Sequence, residues 1–250
     1  MNEFVTLAKR LADEAGKIVK RYYRQPFDVI SKEDESPVTI ADRKVEQRMR
    51  EILEDARPQD GIYGEEHGVK TGESGLTWVL DPIDGTKSFV IGRPTFGMLI
   101  ALCEDGAPVL GVIDQPILGE RWIGDGQQTL FNGKAVQCAP CSSIDTARIG
   151  STTPAMFETT GPVYKNFNEG RFFWGGDCYQ YGLMACGFVD IILEANMKPY
   201  DYAALAPIVQ GAGGHISDFN GKPLTLESDG TVVACGDPAL WPKIQKRLST

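Results

Sequence analysis

Histidine is almost absent from this sequence. Only His67 and His215 occur in 250 residues. That removes most ways of building a zinc centre, which needs four nitrogen or sulfur ligands close together. Cysteine does not make up the shortfall. Cys138-Ala139-Pro140-Cys141 has CxxC spacing, but Cys103, Cys178, Cys186 and Cys235 form no second pair of that kind. The motif follows a hairpin pattern and runs into Ser142-Ser143, a loop rather than the helix start of a thioredoxin-like site. It is read as two thiols without a metal or redox role. Long apolar runs are missing too, and none approaches the ~18 residues of a membrane span. The segment up to Tyr23 spreads charges throughout and lacks a signal-peptide core, so a cytoplasmic location is expected. Basic residues are outnumbered, 25 against 34 acidic, for a net charge of −9. Such a chain is a poor partner for nucleic acid or an anionic membrane. It also repels a phosphorylated substrate unless a bound metal reverses the sign locally.

What remains is an ordinary globular composition, 42% hydrophobic and 24% charged. Phe4, Leu7, Ala8, Leu11, Ala15, Ile18, Val19 and Tyr22 fall on one helical face. Pro26 is expected to stop that helix. Thr39 is expected to cap a second one, carrying Val45, Met49, Ile52 and Leu53 and ending at Arg57-Pro58. Apolar runs at 77–80, 98–103, 108–113 and 120–124 predict an antiparallel meander. It closes on a hairpin over 130–136, where Asn132-Gly133 tolerates two positive φ angles. The second half alternates. It has a helix over 179–185, a strand over 189–193 and a helix from Asp201 to Gly211. Strands at 215–218 and 232–234 and a final helix over 240–248 follow. A seam is expected near 139–146, dividing an N-terminal α+β half (1–140) from a C-terminal α/β half (141–250).

Three acidic clusters stand apart from this scaffold: Glu65-Glu66, Asp81-Pro82-Ile83-Asp84-Gly85-Thr86, and Asp201 at a helix start. Asp81 is expected to leave an apolar strand directly, with Asp84 in the tight turn beyond Pro82. Two carboxylates placed so close repel each other without a cation. Hard oxygen ligands of this kind suit Mg²⁺, which also binds phosphate. Gly85 and Thr86 could begin a helical turn whose amides donate to a phosphate oxygen. The Asp-x-Asp-Gly-Thr motif of haloacid-dehalogenase-type phosphatases is one residue shorter, which removes the covalent-nucleophile geometry and favours attack by water.

Together with Gly211-Ala212-Gly213-Gly214, these clusters resemble the inositol monophosphatase family over nearly the whole chain. The resemblance implies a layered α/β/α/β/α sandwich, phosphomonoester hydrolysis with two or three Mg²⁺ per site, Li⁺ inhibition and a homodimer. It also implies roles. Glu65, Asp81 and the Ile83 carbonyl would hold the metal that activates water. Asp81, Asp84 and Asp201 would hold the one that stabilises the leaving oxygen. Thr86 would position the water, supported by Asp42. Glu66 would orient water or a third metal, and the Gly85 and Thr86 amides would bind phosphate.

The segments from Trp174 to Tyr179 and from Glu194 to Asp201 resemble the histidinol-phosphatase branch. Histidinol phosphate carries an ammonium and an imidazole. Asp177 and Glu194 are expected to face that cationic end, away from the metals. Asp177 could instead cap the following helix, or do both. Other substrates of this class are inositol phosphate and sugar or polyol phosphates. A non-enzymatic reading, a regulator binding the transcription machinery, finds no basic patch to support it.

Overall fold

Apolar side chains sort onto three cores that fix the layering. The computed structural model describes residues 1–25, 29–31 and 37–249, with 29–31 and 37–39 described by backbone alone. The first helix, Asn2–Tyr22, and the second, Ile40–Ala56, bury the faces their periodicity marks: Ala8, Leu11, Ala15 and Val19 on one, Val45, Met49, Ile52 and Leu53 on the other. Pro26 lies outside the described residues, and the side chain of Thr39 outside the described side chains.

An eight-stranded sheet follows, built from residues 61 to 136. Its strands Leu76–Asp84, Gly97–Glu104, Ala107–Gln115, Glu120–Gly124, Thr129–Phe131 and Lys134–Val136 are antiparallel neighbours in chain order. This is the expected meander. Its last turn has Asn132 at φ 47° and Gly133 at φ 79°, as a two-residue hairpin with right-handed twist demands. Gly61–Gly64 and Gly68–Lys70 add two strands that the sequence reading missed. The first of them runs parallel to Leu76–Asp84.

Alternation along these strands feeds both faces. Trp78, Leu80, Met98, Ile100 and Leu102 pack under the two long helices. Val79, Leu99, Ala101 and Cys103 face the other way, onto helices Tyr179–Ala185 and Leu205–Gly211. Beyond those helices lies a five-stranded sheet drawn from residues 149 to 235. Its outer face packs on the terminal helix Trp241–Leu248. The layers therefore run α/β/α/β/α.

Two local features place the acidic residues. First, the strand expected to end at Leu80 continues to Asp84. Asp81 pairs with Leu99 and Asp84 with Gly97, so one extra residue is taken up between them. In a regular strand, residues three apart point to opposite faces. The bulge cancels that offset and turns both carboxylates to one side. Gly85, at φ 81°, then reverses the chain into the short helix Thr86–Val90.

Second, the helix expected from Asp201 to Gly211 is broken. Helix Pro199–Tyr202 and helix Leu205–Gly211 are separate, and Asp201 is the third residue of the former, not its cap. Pro207 explains the break, because its ring would meet the carbonyl four residues earlier in a continuous helix. The Asp201 carboxylate turns back to accept the Lys198 amide at 2.6 Å.

This broken segment lies directly on the meander. A Cβ on Gly111 would run into the Ala204 carbonyl oxygen. Gly111→Ala should destabilise the protein by at least ~1–3 kcal/mol, the usual cost of overpacking against backbone. The urea unfolding midpoint measures this, and an unchanged midpoint would mean that the 203–204 turn is free to move aside.

Candidate active site

The bulged strand, the turn at 64–68 and helix Pro199–Tyr202 converge on one pocket of about 290 Å³. Glu65, Asp84, Gly85, Thr86, Asp177, Glu194 and Asp201 line it, with Lys87, Thr152 and Met197 among their neighbours. Asp81 lies just beneath. One carboxylate oxygen from each of Asp81, Asp84 and Asp201 lies within 4.8 Å of the others.

Electrostatics make this arrangement costly as protein alone. Burial pushes Asp81 well above the usual carboxylate range, and the charges of Glu65, Asp84, Asp201 and Asp42 push it further. Burial and the charges of Asp177 and Asp201 do the same to Asp84, against a hydrogen bond from Cys178. That bond runs from the Cys178 amide to Asp84 Oδ2 at 2.6 Å. Asp201 shares a hydrogen bond with Asp81 and is raised to about 6, chiefly by burial. Asp81 Oδ1 is buried with no protein partner. Crowded acids with raised affinity for protons and an unsatisfied oxygen have the donor set of a hard divalent cation site. The residues present fit Mg²⁺.

Another wall of the pocket is built by the turn after the bulge, through Gly85 and Thr86. Thr86 Oγ1 donates to the Ile83 carbonyl at 3.1 Å, which fixes the hydroxyl and leaves its lone pairs free to accept. Of the remaining sequence candidates, Asp42 is 2% exposed on the second helix and acts on Asp81 through its charge. It does not line the pocket. Neither does Glu66, whose carboxylate turns to Arg43 at 3.7 Å while its amide donates to Glu46 Oε2 at 2.6 Å.

Asp177 and Glu194 both line the pocket but differ from each other. Asp177 takes a left-handed φ of 44°, and helix Tyr179–Ala185 is preceded by Cys178, so Asp177 is not its cap. Its Oδ2 accepts from Ser88 Oγ at 2.5 Å and Thr95 Oγ1 at 3.3 Å, with Arg93 3.9 Å away. It lies against Gly85, where an added Cβ would be 2.8 Å from its Cγ. Asp177 thus abuts the acidic cluster rather than standing away from it. Glu194 ends the strand Ile191–Glu194. Thr152 Oγ1 (2.5 Å), Gln180 Nε2 (2.9 Å) and Tyr181 OH (2.8 Å) donate to it. Burial nevertheless lifts it to about 7.

Several participants escaped the sequence reading. Ser88, Thr95 and Arg93 hold Asp177, and Gln180 and Tyr181 hold Glu194. Nothing in their spacing links them, because each pair is brought together only by the folding of the chain. Glu46 had a signal: it stands one helical turn after Asp42 and one before Arg50. The CxxC thiols do not line this pocket. Burial raises Cys141 and pushes Cys138 up to about 11, which keeps both protonated.

The model of the inositol monophosphatase family matches residues 1–249. Bifunctional phosphatase IMPL2, chloroplastic, of Arabidopsis thaliana is 44% identical over 240 residues, covering 94% of this chain and 69% of that protein. The histidinol-phosphatase of Chlorobaculum parvum is 36% identical over 240 residues, covering 94% and 93%. Among solved structures, an inositol monophosphatase from Zymomonas mobilis superposes with a TM-score of 0.90 at 45% identity, covering 100% of this chain and 98% of that one.

Proposed function

The chain belongs to the inositol monophosphatase family, whose members are phosphoric monoester hydrolases, and we propose that the ester it cleaves is histidinol phosphate, giving histidinol and inorganic phosphate. The observation that carries this reading is Glu194, a carboxyl group in the same pocket as the acidic cluster but held by Thr152, Gln180 and Tyr181, with Asp177 nearer the cluster. A substrate with a phosphate at one end and an ammonium and imidazole at the other needs acids opposite its cations. A neutral polyol needs hydroxyl partners instead. The Chlorobaculum relative bears the same activity in its name.

Glu65, Asp81 and the Ile83 carbonyl would hold one Mg²⁺, and Asp81, Asp84 and Asp201 a second. When bound, such ions supply Lewis-acid stabilisation of the phosphoryl oxygens and acidify water. The chain's own residues do the rest. The Gly85 and Thr86 amides, at the mouth of a helix turn, take phosphate oxygens. Thr86 Oγ1, fixed by Ile83, accepts a hydrogen bond from the attacking water and so aims it, with Asp42 behind. The bulge holds Asp81 and Asp84 on one side, so phosphorus is approached from a constant direction. Action in the cytoplasm, as a homodimer and with no nucleic-acid or membrane partner, completes the proposal. Among the described residues no helix is long and apolar enough to cross a membrane.

A second reading has its own support, since the Zymomonas structure is called an inositol monophosphatase. Phosphate release from histidinol phosphate, inositol 1-phosphate and glycerol 2-phosphate separates them. Histidinol phosphate should have the highest kcat/KM. Glu194→Gln should raise its KM roughly ten- to a hundred-fold, the worth of a charged hydrogen bond of ~1.5–3 kcal/mol. Glycerol 2-phosphate, with no cation to lose, should be hydrolysed as before. Glu194 is the cleaner probe, because loss of Asp177 would also disturb the turn at Gly85. Faster turnover of inositol 1-phosphate by the unaltered protein would decide for the second reading.

A further inference from the structure

Helix Ile40–Ala56 presents Asp42, Glu46 and Arg50 at successive turns of one stripe. Glu46 is completely buried, yet it is not an isolated charge. Its Oε2 accepts the Glu66 amide at 2.6 Å, and its Oε1 accepts the His67 amide at 3.1 Å and Arg50 Nε at 2.7 Å. Arg50 donates through Nη2 to the Gly68 carbonyl. Acid and guanidinium together thus hold the backbone of three consecutive residues. The turn is tied on its other side by the Glu65 amide, which donates to the Leu80 carbonyl at 3.3 Å. Glu65 is the one residue of this turn that lines the pocket, and its charge bears directly on Asp81.

A buried ion pair is weak support for stability as such, since well-packed apolar residues often serve as well. A carboxylate can do what they cannot, which is to accept two neighbouring amides and fix a turn. We propose that Glu46 is a positioning residue: by clamping the Glu66 and His67 amides it sets Glu65 where its carboxylate meets the cation held by Asp81. This rests on the reading of Glu65 as a metal ligand given above. The helix then serves the site twice, through Asp42 and through the turn that Glu46 holds.

Calorimetric titration of MgCl₂ into the chelator-stripped protein tests it. Glu46→Gln keeps the volume but replaces one acceptor by a donor. Its Mg²⁺ affinity should fall about tenfold, the lower end for groups that orient ligands. At saturating Mg²⁺ its kcat should return to nearly that of the unaltered protein. Hydrogen exchange at the Glu66 and His67 amides should quicken, and the metal-free protein should melt at a lower temperature, because Arg50 loses its buried partner, while still unfolding in one cooperative transition. Should Glu46→Gln fail to fold, Arg50→Lys, which loses the fork joining Glu46 to Gly68, is expected to weaken Mg²⁺ in the same direction. Unchanged affinity in a folded Glu46→Gln, or in Arg50→Lys where that is the variant read, overturns the proposal. A protein with Glu46 intact that takes up no Mg²⁺ overturns the metal reading instead. Amide exchange still reports whether Glu46 holds the turn.

Discussion

Asp81→Asn should reduce phosphate release by well over a hundredfold, and the same protein without metal should melt at a higher temperature. The two effects have one cause. Asp81 is the most crowded acid of the cluster, buried among Glu65, Asp84, Asp201 and Asp42. Asparagine has its shape but not its charge, so in the absence of a cation it relieves repulsion and offers an amide to its neighbours. With a cation it removes a charged ligand that the proposed site uses twice. Groups that merely orient ligands cost roughly 10–100-fold when lost, so a direct ligand should exceed that range. Asp201→Asn should behave alike, with a smaller gain in stability because its carboxylate also accepts the Lys198 amide. Phosphate release at saturating Mg²⁺ and calorimetry in excess chelator give both readouts. A rate within tenfold of the original would remove Asp81 from the ligand set. A lower melting temperature in chelator would mean that its charge is stabilising and that the crowding is relieved in some other way.

The residues of this site were legible in the sequence to an uneven degree, and the reasons are physical. The Asp81 to Thr86 motif could be read because all its parts are consecutive and carry unusual chemistry. The bulge inside it could not, since register is decided by the partner strand, here Leu99 to Gly97. The meander was visible because its turns are short and its alternation regular. The strand Gly61–Gly64 pairs in parallel with Leu76–Asp84 and has glycine at both ends. Neither a local turn nor a strong propensity announces it. Asp201 reads as an acid at a helix start, but the apolar run to Gly211 hides the break that Pro207 imposes within it. Asp177 shows the limit most clearly. Its place before an apolar helical run fits both helix capping and substrate binding. The structure excludes the cap and gives its carboxylate to Ser88 and Thr95, 89 and 82 positions earlier in the chain.

Stripping the metal should also change how stability depends on pH. Asp81, Asp84, Asp201 and Glu194 all hold their protons more tightly when folded than when unfolded. Unfolded carboxyl groups titrate near 4. Between that value and the folded one, the native state binds more protons, so stability falls as pH rises. The loss begins above about pH 4 and runs through about 6 for Asp201 and about 7 for Glu194. It is complete once those groups are ionised. For Glu194 alone, the rise from 4.5 to about 7 corresponds to a loss of roughly 3 kcal/mol at pH 8, at about 1.4 kcal/mol per unit. In chelator, therefore, the melting temperature should drop steadily from pH 5 to pH 8. Saturating Mg²⁺ should restore the part due to Asp81, Asp84 and Asp201, because a cation favours their charged forms. It should leave the part due to Glu194, whose partners are Thr152, Gln180 and Tyr181. Glu194→Gln should flatten the remaining slope. The net charge of −9 also disfavours the compact state as pH rises, but that repulsion is spread over the surface and yields to salt. The buried contribution does not. Scans at high salt with and without Mg²⁺ isolate it. A melting temperature that holds constant from pH 5 to pH 8 in chelator would mean that these acids are already ionised and otherwise compensated, and the cluster would lose its standing as a metal site.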